Sequence, residues 1–112
     1  MDDPQDPFPP VGLESEEQHV VIRVGGEMDL DRAPMLRDAL HAVITRPGCP
    51  AEIVVDLSEL TFCDSSGLNA LIQSRRTAQD HGRRISLRAP SPPILHLLEL
   101  TGTENLFPLT DT

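Results

Sequence analysis

Apolar residues recur along the chain in two rhythms, a period of two over short runs and a period near 3.6 over longer ones. Gln18 to Val24 alternates, with Val20, Ile22 and Val24 on one face and Val21 and Arg23 on the other, which predicts a strand. Val11 to Glu14 predicts a short edge strand ahead of it. Gly25-Gly26 ends the run, and Glu27-Met28-Asp29-Leu30-Asp31 leads into a helix with Pro34 in its first turn. Leu36, Ala39, Leu40, Val43 and Ile44 form the single apolar stripe of that helix, and Arg46-Pro47-Gly48-Cys49-Pro50 stops it. Ile53-Val54-Val55 is continuously apolar, as expected of a strand buried on both faces of a parallel sheet. A second helix is predicted from Asp64 or Ser65. Leu68, Leu71, Ile72 and Arg75 lie on one side of it, with Asn69, Gln73, Arg76 and Gln79 away from that stripe. His81-Gly82 supplies a left-handed stop. Arg84 to Ala89 alternates as a further strand through Ile85, Leu87 and Ala89. Ser91 is the expected cap of a third helix with prolines in its first turn. Ile94, Leu97, Leu98 and Thr101 form its inner face, and Gly102 closes it. Leu106 to Leu109 reads as a last short strand or an extended tail.

Strands alternating with helices predict an α/β domain with right-handed crossovers. The expected sheet is small, mixed and mostly parallel, with about four or five strands and three or four helices, and its first strand antiparallel at an edge. In such sheets ligands and chemistry gather at the carboxyl ends of the parallel strands. Gly26-Glu27-Met28-Asp29 and Cys63-Asp64-Ser65-Ser66-Gly67 both fall there and are expected to face each other.

At 112 residues the chain is read as one domain, 11–112, after an acidic, proline-rich tail over 1–10 that is expected to be disordered. That tail is not a secretory signal, and no apolar run reaches the roughly 18 residues needed to span a bilayer. Cys49 and Cys63 have no metal-ligand spacing and make no disulfide framework, which places the chain in a reducing cytoplasm. A net charge of −9 argues against nucleic acid and anionic membrane as partners. With no Trp or Tyr and three Phe, there is also no aromatic platform for bases. The absence of lysine excludes a Schiff-base or phosphate-loop lysine. Arg75, Arg76, Arg83, Arg84 and Arg88 cluster as a solvated face, or alternatively as a docking patch for an acidic protein surface.

Asp64-Ser65-Ser66-Gly67 puts two hydroxyls and a carboxylate at a helix start, where unpaired N–H groups and the macrodipole favour negative charge. A helix cap alone would explain Asp64 or one serine and contributes about 1 kcal/mol. Doubled serines exceed that need. Gly67 in the first turn costs about 1 kcal/mol against alanine, which makes sense where something must approach the backbone closely. Asp29 adds a second carboxylate from the facing loop. A hydrolytic nucleophile elbow would need glycine at position 63, where this chain has cysteine, and His81 and His96 fall away from strand ends. Asp29, Asp56 and Asp64 could hold Mg²⁺ through waters, but Asp56 reads better as a turn residue ending its strand, and no metal or other cofactor is expected.

In order along the chain, Gly26-Glu27-Met28-Asp29, Val54-Val55-Asp56-Leu57-Ser58, Phe62-Cys63-Asp64-Ser65-Ser66-Gly67-Leu68, and Ala89-Pro90-Ser91-Pro92 with Leu98 and Thr101-Gly102 resemble a STAS domain. More narrowly, the chain resembles the stand-alone bacterial anti-sigma factor antagonists, over about Val11 to Leu109. The resemblance implies a regulator rather than an enzyme, monomeric or weakly dimeric. Such a protein binds an anti-sigma factor and frees the sigma factor it held. The anti-sigma partner is commonly also a serine kinase that inactivates the antagonist by phosphorylation, and a serine phosphatase reverses this. By position Ser65 matches the phosphorylated serine, with Ser66 the second choice. Asp29, Asp64, Ser66, Gly67, Asn69 and Arg76 then form the surround that meets the partner. An alternative within the same fold is a scaffold or nucleotide-sensing subunit of another signalling complex. Family members usually carry a further C-terminal helix, for which the residues after Leu109 leave little room.

Overall fold

The computed structural model describes residues 11–15 and 19–110, with side chains described from His19 onward. The expectation for the tail over 1–10 lies outside these residues. The main sheet contains β1 (Val11–Ser15), β2 (His19–Val24), β4 (Glu52–Asp56), β6 (Arg84–Arg88) and β7 (Leu109–Thr110), while β3 (Gly26–Met28) and β5 (Leu60–Cys63) form a separate parallel pair. The helices are α1 (Ala33–Ile44), α2 (Ser65–Asp80) and α3 (Pro92–Thr101), followed by a 3-10 turn at Glu104–Leu106. Strand order in the main sheet is β1-β2-β4-β6-β7, with β1 antiparallel to β2 and the other neighbours parallel.

β4 sits at the centre because it can be buried on both faces: Ile53, Val54 and Val55 are all enclosed. Val20, Ile22 and Val24 of β2, Ile53 and Val55 of β4, and Ile85 and Leu87 of β6 point into one core. Leu36, Leu40 and Ile44 of α1 and Leu68, Leu71 and Ala78 of α2 join that core. The opposite sheet face carries Val21, Val54 and Ser86 in register, all buried, between two rows of charge. In one row Arg84 Nη2 meets Glu52 Oε2 at 2.8 Å and Ser86 Oγ donates to Glu52 Oε1 at 2.6 Å. In the other, Arg88 Nη2 meets Asp56 Oδ2 at 2.7 Å.

Four expectations are corrected. The segments 26–28 and 60–63 are strands, not connections; each has too few inward residues, chiefly Met28 and Leu60, to print a period of two. β6 ends at Arg88, and Ala89 is exposed with a φ of 55°, so the chain turns out of the sheet one residue early. Thr101 is exposed on α3, its hydroxyl donating to Leu97 O at 2.8 Å rather than packing inward. Ser91 occupies the N-cap position of α3 but its side chain makes no capping bond, so Pro at the first positions defines that start.

Burial raises the carboxyl of Asp56, but the Ser58 N–H and the Arg88 guanidinium outweigh it and hold the group below its ordinary value. Glu52 follows the same balance, with burial opposed by Ser86 and Arg84. Depressed carboxyls stabilise the fold above their unfolded values, near pH 4, and that contribution is lost as pH falls through the folded values. Arg88→Met is therefore expected to cost about 1–3 kcal/mol at pH 7. It should also flatten the acid limb of stability against pH, measured by urea denaturation between neutral and acid pH; an unchanged acid limb would remove the Asp56 pair from the account.

Candidate functional site

The site is built where β3 and β5 end. Met28 pairs with Cys63 in parallel register, so the next residues, Asp29 and Asp64, leave the two strands side by side. The Asp64 N–H donates to Met28 O at 3.2 Å and ties the loop to the strand beside it. Asp29 then folds back on its own turn, Oδ1 accepting the N–H groups of Asp31 at 3.1 Å and Arg32 at 3.2 Å just ahead of α1.

Asp64 is the N-cap of α2. Its Oδ1 accepts the N–H groups of Ser66 at 2.9 Å and Gly67 at 3.2 Å. Those donors are the ones a bound phosphate would need, and a carboxylate already holds them. The helix start is thus a capped terminus rather than an open anion site. Ser65, one residue further, is exposed at the first position of the helix, while Ser66 is half-buried.

Gly67 is buried, and the reason differs from a ligand's approach. A Cβ at that position would lie 2.8 Å from Cys63 Sγ, 2.8 Å from Met28 Cγ and 2.9 Å from Met28 O. The close neighbour is the protein's own strand β3, so Gly67 lets α2 seat directly on it. Burial, followed by the charge of Asp64, pushes the Cys63 thiol up to about 11, so it stays protonated and unreactive at neutral pH.

Asn69 and Arg76 are exposed on α2. Spaced four and eleven residues from Ser65, they continue its solvent-facing stripe, with Arg76 roughly 16 Å along the axis. Ser66 and Asn69 also line a groove of about 190 Å³ between α2 and the start of α1, with Leu30, Pro34 and Arg37 opposite. Leu30, Met35 and Phe62 are 71%, 51% and 48% exposed, large apolar side chains on the segments that frame this end of the domain. None of the three is among the site residues expected from the sequence. Their signal was that each apolar residue falls outside a periodic stripe: Leu30 among acids, Met35 beside the stripe of α1, Phe62 ahead of the serines.

The elements proposed for other chemistries do not converge here. His81 caps the far end of α2, its Nδ1 2.9 Å from Thr77 O. Asp56 is held by Arg88 and by the Ser58 N–H. Among the described residues no group of three His, Cys, Asp or Glu side chains is placed to share a metal ion. Both cysteines are free thiols. No helix among the described residues is long and apolar enough to cross a membrane.

A three-helix α/β domain with a capped, serine-bearing helix start at the carboxyl end of the parallel β3–β5 pair defines a class, and sequence comparison identifies it. The family profile described as "Mlab, STAS domain" matches residues 11–110, and the chain belongs to this STAS family. Among curated relatives it is similar to an anti-sigma F factor antagonist of Paenibacillus polymyxa, 29% identical over 105 residues that cover 90% of this chain and 89% of that protein. Among solved structures, an anti-sigma factor antagonist from Mycobacterium paratuberculosis superposes with a TM-score of 0.78 at 30% identity, covering 91% of this chain and 85% of that one. The unphosphorylated form of the antagonist SpoIIAA gives 0.75 at 26% identity, covering 89% and 87%.

The packing of Gly67 makes a direct prediction. Gly67→Ala is expected to destabilise the fold by about 1–3 kcal/mol, because Met28 O cannot move without breaking the β3–β5 register. Asp64→Ala is expected to cost about 1 kcal/mol through the lost cap. Denaturant midpoints of the two variants check both values, and wild-type stability in Gly67→Ala would refute the close-packing account.

Proposed function

We propose that this protein is an anti-sigma factor antagonist: it binds an anti-sigma factor, releases the sigma factor held there, and is switched off by phosphorylation of Ser65. The observation that carries the reading is the exposed Ser65 directly after the Asp64 cap, with its neighbour Ser66 lining the groove between α2 and the start of α1. Relatives named as antagonists support the binding role, and SpoIIAA is known in both unphosphorylated and phosphorylated forms. The partner is an anti-sigma factor of the serine-kinase type, and a serine phosphatase restores the active form.

The groove explains the affinity. Leu30 and Phe62 supply apolar area for the partner to cover, and Asn69 and Arg76 supply polar contacts along the exposed stripe of α2. The acidic rim at Asp29 and Asp64 calls for a cationic counterpart. Phosphorylation adds about −1.5 to −2 charge at neutral pH. Beside two carboxylates that charge cannot take the N–H groups of Ser66 and Gly67, which Asp64 already holds. It therefore projects into the docking surface, where burial under a partner is costly.

Incubation with the cognate anti-sigma kinase and ATP is expected to place one phosphate on Ser65 by mass spectrometry and none on Ser65→Ala; undiminished labelling of that variant would reject the site. Ser65→Asp is expected to weaken binding at least about tenfold, or ~1.4 kcal/mol. Its thermal midpoint should move by no more than about 4 °C, the equivalent of roughly 1 kcal/mol. Phe62→Ser and Leu30→Ser should each weaken binding by a similar factor without a change of fold, as residues central to an interface do. Calorimetric affinities equal to wild type would move the docking surface elsewhere.

A further inference from the structure

At the opposite end of α2 from Ser65 lies a second cleft, of about 300 Å³, between that helix, the start of β6 and the segment joining the 3-10 turn to β7. We infer that it is a binding site for a small organic anion, a phosphate or carboxylate carried on an apolar body. Arg75, Arg83 and Arg84 line it together with the Asn105 amide, while Ile85, Leu106 and Pro108 provide an apolar wall. A charged face and an apolar face in one concavity of this size match a ligand with both characters.

The arginines are held in place from within. Arg75 Nε donates to Leu106 O at 2.8 Å, and its two Nη groups carry no hydrogen bond among the described residues. Arg83 Nη1 donates to His81 O at 3.1 Å and Nη2 to Arg46 O at 3.5 Å, and its buried Nε–H finds no acceptor among the described residues. Arg84 is paired with Glu52 at 2.8 Å. Among the described residues Glu52 is the one carboxylate bonded to these three arginines, and it pairs with Arg84 alone, so the cleft stays positive in a chain whose net charge is −9. Positive charge converging in a low-dielectric concavity concentrates small anions there. An acidic protein surface, the other reading of these arginines, fits a convex or flat patch and not a cleft of ligand size.

The site is independent of the serine switch, since α2 separates them by roughly 15 Å or more. The test is an amide NMR titration of the whole chain with phenyl phosphate, run in parallel with inorganic phosphate. Saturable shifts are expected at Ile85, Asn105 and Leu106, with the same affinity in Ser65→Ala and at least tenfold weaker binding in Arg75→Gln and Arg84→Gln. Arg84 is exposed, so Arg84→Gln decides the matter if Arg75→Gln loses its native spectrum. Equal binding by the arginine variants, or shifts confined to Ser65 to Gly67, would overturn the proposal. Inorganic phosphate binding as tightly as phenyl phosphate would reduce the cleft to an adventitious ion only and overturn it as well.

Discussion

Three residues of β3 pair with four of β5, and the loops that follow inherit their spacing from that pairing. A two-stranded ribbon is marginal by itself in water. Here Met28 and Leu60 anchor it in the common core, the Asp64 N–H closes on Met28 O, and Gly67 brings α2 down onto the same strand. Asp29 and Asp64 leave the ribbon side by side because Met28 and Cys63 are in register, and Ser65 follows Asp64 directly. Any side chain at position 67 would separate the helix from the strand and with it the serine from Asp29.

The main sheet and the helices could be read from periodicity because each buries a whole face. Ile53-Val54-Val55 announced a central strand, and the stripe through Leu36, Leu40 and Ile44 announced α1. The ribbon could not be read in this way. β3 presents one inward side chain, Met28, and β5 chiefly Leu60, so neither carries a pattern long enough to count. At the site, the helix start, its acidic surround and the exposed serine were legible because Asp-Ser-Ser-Gly has local physical meaning at a helix terminus. The role of Gly67 was not, since sequence shows that a Cβ is missing but not which neighbour requires its absence. Leu30 and Phe62 escaped for the opposite reason: exposure is a property of tertiary packing, and an apolar residue outside any stripe looks like noise.

Charge is sorted along α2. Its N-terminus carries Asp64 as the cap, and its C-terminal half carries Arg75 and Arg76 before Arg83 closes on the carbonyl of His81. Asp64 at the start agrees with the macrodipole, whereas the last turn of α2 carries no basic residue and ends on Asp80. The dipole therefore accounts for Asp64 but not for the concavity that gathers three guanidinium groups beside an apolar wall. The Asp64 carboxylate takes the N–H groups of Ser66 and Gly67 and leaves those two unavailable to a further anion.

In the proposed switch a phosphoserine at position 65 changes affinity rather than fold, because Asp64 already holds the N–H groups of Ser66 and Gly67. Two unit charges about 6 Å apart repel by roughly 0.7 kcal/mol in water and by roughly 3 kcal/mol at an effective dielectric near 20. On the free protein an exposed Ser65 keeps its added charge in water, where the smaller figure applies and salt screens it further. A partner seated over Leu30, Phe62 and the groove expels that water, and the larger figure then acts against the complex alone. In that proposal charge added at Ser65 is penalised more in the complex than on the free protein. The carboxylates of Asp29 and Asp64, which suit the loop to a cationic partner, then amplify the effect of the phosphate, and a capped, already acidic helix start is the proposed switch.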